Sequence, residues 1–244
     1  MTRNVPVLLA RVVEDAHLLK EVSADIWSVS GALTEDIAQY DSIGGAYDLV
    51  GSLGIYHRLC WGVSTNAYRE FVEQARLACD GGQVLDAGCG SMLFSAASHR
   101  RPNKGVVIGA DVSRAMLTRA RNRLGGDGHP GNVVLLQADI LHSPFRCAVF
   151  DVIICLHVAH VLQDLEGLIG ELQRILRPGG RLFLTSVVLV NGWRDRYLRA
   201  LSQRGILASP RHPENVVAAV RKVFGVEPNC RLAGSMLFTE AQSS

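Results

Sequence analysis

The chain has 244 residues, 48% hydrophobic and 20% charged, enough for one large core and a small extra lobe but not for a second full domain. Its formal charge of +2, with no basic run longer than two residues, argues against a nucleic-acid partner and for a small molecule. Cys60, Cys79, Cys89, Cys147, Cys155 and Cys230 form no C-x-x-C pair and no regular spacing, which argues against a metal site and a disulfide framework. Before Arg11 only Val5 to Ala10 is apolar, and no 18-residue apolar stretch follows, so the expectation is a cytoplasmic protein without stable membrane insertion.

Residues 1–78 read as a helical cap. Val5, Leu8, Leu9, Val12 and Val13 share one helical face, and Leu18, Leu19 and Val22 continue the spacing. The glycine-punctuated stretch Asp41 to Asp48 follows. Tyr56-His57-Arg58-Leu59-Cys60-Trp61 then crowds aromatic rings and polar tips into a segment suited either to covering a pocket or to ordinary packing. A helix over about Thr65 to Cys79 leads to Gln83-Val84-Leu85-Asp86-Ala87-Gly88-Cys89-Gly90, an apolar run that meets an acid and two glycines just before a helical pattern. Glycine at 88 and 90 permits positive φ and close approach of a ligand, and the following N-terminus presents free N–H groups. Asp86 beside them would repel a pyrophosphate and hold an ammonium.

From here strand and helix patterns alternate. Val106 to Asp111 is an apolar run ending in an acid, with Ser113 capping a helix whose Met116, Leu117, Ala120 and Leu124 share a face. Val133 to Asp139 repeats that design. Phe150 to Cys155 is a fourth strand, Leu165 to Leu176 a helix, Arg177-Pro178-Gly179-Gly180 a turn, and Arg181 to Val190 a fifth strand. Continuous rather than alternating apolar strands mean that both sheet faces are covered, so the fold class is α/β, a doubly wound, mostly parallel sheet forming a core over 79–244. Two last runs, Val226 to Leu232 and Ser235 to Glu240, have no helix between them and pair antiparallel. Pro228 sends the first of these to the sheet edge. In such a sheet the ligand crevice lies beyond the strands' carboxyl ends, where Asp86, Asp111, Asp139 and Cys155-Leu156-His157 converge.

These motifs resemble the class I S-adenosylmethionine-dependent methyltransferases, particularly the small-molecule branch described as type 11, strongly over about 80–190. The resemblance implies a seven-stranded Rossmann-like sheet of order 3-2-1-4-5-7-6 under an N-terminal helical lid, with S-adenosyl-L-methionine as cofactor. It implies that Asp86, Ala87, Gly88 and Gly90 hold the methionine part and Asp111, 25 residues further on, the ribose hydroxyls. Val112 then lies beside the adenine, and Asp139 and Ile140 read its amino group and stack on its other face. Tyr47 contacts the cofactor carboxylate, Met116 and Leu156 complete the site, and His160 is structural. Met92 departs from the family's usual third glycine. With its flexible thioether it is expected at the rim of the loop.

The nicotinamide alternative fails on spacing, since Leu93 stands where G-x-G-x-x-G needs its last glycine, and no G-K-[ST] exists for a P-loop. Methyl transfer needs alignment and exclusion of water. His157 is the candidate base, titrating near neutrality, with pocket-shaping as its other role. Tyr56 and His57 join it as candidate acceptor contacts. Loose similarity of Tyr47 to Leu59 to quinone-ring C-methyltransferases suggests a small hydrophobic or aromatic acceptor, methylated on oxygen or carbon. The alternative is a cofactor-binding protein without turnover. The oligomeric state is left open.

Overall fold

The computed structural model describes residues 5–30, 54–79, 81–101, 105–128 and 130–244. Its strands are β1 (Leu19–Ser23), β2 (Ile26–Val29), β3 (Gln83–Ala87), β4 (Val106–Asp111), β5 (Val133–Gln137), β6 (Phe150–Cys155), β7 (Leu176–Val187), β8 (Asn229–Ala233) and β9 (Met236–Gln242). The helices are α1 (Val5–Ala10), α2 (Gly54–Tyr56), α3 (Thr65–Leu77), α4 (Ala96–His99), α5 (Arg114–Leu124), α6 (Leu165–Ile175), α7 (Arg194–Gln203) and α8 (Pro213–Phe224).

The sheet runs β1-β2-β5-β4-β3-β6-β7-β9-β8. Neighbours from β5 to β7 are parallel, and β9 and β8 are antiparallel. Counted from β3, the last seven strands follow the order 3-2-1-4-5-7-6 that the resemblance implies. Alternate residues of each central strand serve opposite faces. Leu85, Ile108, Val134 and Ile153 pack beneath α1, α6 and α8, while Val84, Val107, Val133 and Val152 pack beneath α3, α5 and α7. A strand covered on both faces has no polar side, which is why its residues run apolar without interruption. Ser113, whose Oγ accepts from Met116 N at 3.2 Å, and Asp164, whose Oδ1 accepts from Gly167 N at 2.8 Å, start α5 and α6. β8 is the edge strand, as Pro228 dictated, and begins one residue beyond that proline. The Arg177–Gly180 turn lies within β7 as a bulge: Phe150 faces Leu176, and Val152 faces Arg181.

The N-terminal segment corrects the helical expectation. α1 ends at Ala10, and Leu19 and Val22 belong to β1 of a hairpin whose second strand pairs parallel with β5, Ile26 opposite Leu135 and Ser28 opposite Gln137. Asp25 makes the turn at φ 58, with its amide on Glu21 Oε1 at 2.9 Å, and Arg121 Nε on α5 reaches its Oδ2 at 3.3 Å. Aspartate is among the few residues that tolerate this left-handed turn. The hairpin covers the β5 edge, so the sheet has nine strands among the described residues, two more than the seven expected. Nor is α3 separable from the core: its Tyr68, Phe71, Val72 and Ala75 are buried against β6, β7 and β9 in one cluster.

Candidate active site

The crevice at the carboxyl ends of β3 to β6 is built by register. Ala87 lies opposite Ala110 and Asp111 opposite Gln137. Cys89 N donates to Ala110 O at 3.0 Å, so the glycine loop folds back onto the end of β4. There Gly90 N donates to Asp111 Oδ2 at 2.8 Å and Ser113 N to Oδ1 at 2.9 Å, making Asp111 the brace between the loop and the start of α5. Gly88, at φ 61, is required by close approach as well as conformation, because a Cβ there would stand 2.3 Å from Val158 Cγ2. Met116 Cε reaches the Cα side of Gly90, 3.4 Å from where a Cβ would be. Val112 O accepts from Gln137 Nε2 at 3.0 Å. Asp139 takes Leu141 N at 2.9 Å and His142 Nδ1 at 3.3 Å, with Ile140 buried beside it. The resemblance-derived set around Gly88, Gly90, Asp111, Val112, Met116, Asp139 and Ile140 is thus brought to one end of the sheet. Tyr47 lies outside the described residues.

Asp86 departs from the direct role expected of it. Its carboxylate is 2% exposed, and Oδ2 accepts from Ser95 Oγ at 2.6 Å and pairs with His99 Nε2 at 3.0 Å. It ties β3 to α4 behind the loop instead of offering Oδ2 to an ammonium. The site is nonetheless electronegative. Burial first, then the Asp86 and Asp111 carboxylates, push the Cys89 thiol well above its ordinary range, so a further negative charge here is opposed.

Met92 is likewise corrected. It is 1% exposed, at φ 54, and its Cε lies 2.1 Å from the point a Cβ on Gly109 would occupy. The missing side chain of Gly109 makes room for that thioether within the core formed with Leu117 and Leu135. Met92→Gly should therefore lose about 2 kcal/mol of stability, the cavity cost of a buried methionine less the relief of left-handed strain. Urea unfolding measures it, and a variant as stable as the parent would contradict this placement.

His157 follows β6 at φ 63, with its amide on Thr185 Oγ1 at 3.0 Å. Its ring lies 4.6 Å from Tyr68, 5.6 Å from Phe94, 5.9 Å from His57 and 5.7 Å from His160 between centroids. Nε2 is buried without a hydrogen-bond partner among the described residues. Burial, then His160 and His57, hold its pKa well below the ordinary value, which corrects the expectation of a base titrating near neutrality. His160 is structural, as the resemblance implies: Nδ1 accepts from Val187 N at 3.2 Å, and burial with Arg211 nearby lowers it to about 3. His57 is buried and within 3.3 Å of Tyr68 OH through Nδ1, whereas Tyr56 turns to Tyr197, OH to OH at 2.9 Å. Leu156 is half-buried beside them. Tyr68, Phe94, Ser95 and His99 carried no sequence signal, because each lies in an unremarkable helical or turn pattern and gains its role from a distant strand.

Gly-x-Gly at the end of β3, acids ending β4 and β5, and the antiparallel β9-β8 pair define a Rossmann-like methyltransferase fold. Residues 85–184 match the family model described as a methyltransferase domain. The chain is 34% identical to methyltransferase GfsG of Streptomyces halstedii over 58% of this chain and 52% of that one. It is 32% identical to the ubiquinone/menaquinone biosynthesis C-methyltransferase UbiE of Vibrio vulnificus over 59% and 54%. The chain therefore spans about half the length of the curated relatives it matches. Among solved structures, a possible histamine N-methyltransferase of Thermotoga maritima has TM-score 0.60 at 18% identity, covering 84% of this chain and 97% of that one. Geranyl diphosphate C-methyltransferase of Streptomyces coelicolor has TM-score 0.60 at 16%, covering 73% and 76%. The [4+2]-cyclase SpnF has TM-score 0.62 at 18%, covering 83% and 95%. These likenesses establish the fold.

Proposed function

We propose that the protein transfers a methyl group from S-adenosyl-L-methionine to a small hydrophobic or aromatic acceptor, on carbon or oxygen. The observation that carries this reading is the brace at Asp111, where one carboxylate fixes the glycine loop and the start of α5 in an electronegative crevice. Those residues suit a ligand with a positive centre and vicinal hydroxyls better than one with a pyrophosphate. The cofactor supplies an electrophilic sulfonium methyl. The chain's part is to align the acceptor with it and keep water out.

On the acceptor side, His57, Tyr68, Phe94 and His157 offer ring faces, and His157 Nε2 is a buried ring nitrogen without a hydrogen-bond partner among the described residues. A neutral imidazole in that setting is a weak base but a good hydrogen-bond acceptor, so its role is to orient an acceptor hydroxyl rather than to take up a full charge. His157→Phe is expected to keep its affinity for S-adenosylhomocysteine and to lose about 10- to 100-fold in kcat/KM, the value of one buried hydrogen bond. Unchanged kcat/KM would remove this role. Similarity to the C-methyltransferase UbiE favours carbon as the methylated atom. The 54–61 segment and α3 form the acceptor-side wall in this reading.

A second reading has cofactor bound without methyl turnover. The fold neighbour described as a [4+2]-cyclase keeps it in view, since the shared architecture alone does not specify methyl transfer. Calorimetry with S-adenosylhomocysteine and with NADH tests the step common to both readings. Binding of the first alone is expected, and binding of NADH alone would overturn both.

A further inference from the structure

We propose that the face formed by the His57–Trp61 turn and the start of α7 docks on an anionic lipid surface. Three large apolar side chains stand exposed here: Ile55 of α2 at 68%, Leu59 of the turn at 59% and Trp193, which precedes α7, at 64%. The segments touch, since Arg194 Nε donates to Leu59 O at 3.1 Å while its guanidinium lies 4.8 Å over the Trp193 ring. Trp193, Arg196 and Arg199 follow one another at three-residue spacing, and the last two are exposed, as is Arg58 across the contact.

The charge is one-sided. Residues 54–62 and 191–205 contain Arg58, Arg194, Arg196, Arg199 and Arg204 against a single acid, Asp195. That acid is buried, and its carboxylate is spent on the amides of Val190 and Asn191 at 3.1 and 2.9 Å. A tryptophan and two aliphatic side chains ringed by arginines, with no exposed carboxylate among them, complement a bilayer interface: headgroup phosphates pair with the guanidiniums while the apolar tips enter the acyl boundary. No helix among the described residues is long and apolar enough to cross a membrane, so the contact is peripheral. Directly beneath this face lie the Tyr56–Tyr197 pair and the T-shaped contact of Tyr56 with Trp61, next to His57. On the proposed methyl-transfer reading, a lipophilic acceptor would enter from the bilayer at this point. The docking itself does not depend on that reading.

The test is sedimentation of the full chain with vesicles of phosphatidylcholine alone and of phosphatidylcholine with phosphatidylglycerol. Binding to the second kind only is expected, weakening as salt is raised. Arg196→Gln with Arg199→Gln should bind about thirtyfold more weakly, from about 1 kcal/mol per arginine near an anionic surface. Trp193→Ala should also bind more weakly, with its affinity for S-adenosylhomocysteine unchanged. Absence of binding to anionic vesicles, equal binding to neutral ones, or variants that bind like the parent would overturn the proposal. So would a concentration-dependent dimer in sedimentation equilibrium that Trp193→Ala abolishes, which would make the face a contact between two copies. Because vesicle binding requires no turnover, its failure is distinguishable from a failure of methyl transfer.

Discussion

Lowering the pH from about 7.5 to about 5 should cost the folded protein about 2 kcal/mol through His160, with a further loss through His157. Both rings are buried and held neutral: His157 by burial, then His160 and His57, and His160 by burial and Arg211, which brings it to about 3. In the unfolded chain each returns to its ordinary value of 6.5. Between those limits the unfolded chain binds two protons that the folded chain refuses. The stability is therefore complete above about pH 6.5 and falls with decreasing pH, by about 1.4 kcal/mol per unit for His160. Urea unfolding at the two pH values measures the loss, and His160→Gln should remove about 2 kcal/mol of it. A parent protein equally stable at both values would show that these rings are not held neutral, and the hydrogen bond from Val187 N to His160 Nδ1 would be misassigned.

Asp111→Ala should weaken S-adenosylhomocysteine binding by about 10- to 100-fold, the cost of about 1 to 3 kcal/mol for leaving buried polar groups without their carboxylate. The effect has two parts, because the same oxygens that would receive ribose hydroxyls already receive Gly90 N and Ser113 N. Asp111→Asn keeps one carbonyl oxygen and should fall between parent and alanine variant. Calorimetry reads the affinity, and thermal unfolding separates out the loss of the loop's own bonds. Unchanged affinity in Asp111→Ala would place the adenosyl site away from the end of β4.

The central sheet was legible because each strand carries its own record: an apolar run bounded by an acid or a glycine, then a cap such as Ser113 that starts the next helix. Strand order came from the resemblance and from the absence of a helix between the last two runs. What stayed hidden depends on partners far along the chain. β2 finds its place only against β5, more than a hundred residues later, and the five residues of β1 are too few to separate a strand from a helical spacing. Met92 reads as a departure from a glycine pattern until Gly109 supplies the space it fills. Asp86 reads as a ligand acid until Ser95 and His99 take its Oδ2. His157 was found by position at the end of β6. The ring cluster around it comes from the His57–Trp61 turn, α3 and the loop before α4, and no local pattern announces that convergence.

Incubation of the full chain with methyl-labelled S-adenosylmethionine and a panel of hydrophobic and aromatic hydroxylated acceptors tests the central claim most directly. Product masses would be read alongside the release of S-adenosylhomocysteine. The expected result is an acceptor carrying the labelled methyl in place of one hydrogen, with equimolar S-adenosylhomocysteine and a loss of both in Asp111→Ala. Tight binding of S-adenosylmethionine with no labelled product and no S-adenosylhomocysteine, across the panel and in extract, would contradict methyl transfer and leave the cofactor-binding protein without turnover in its place.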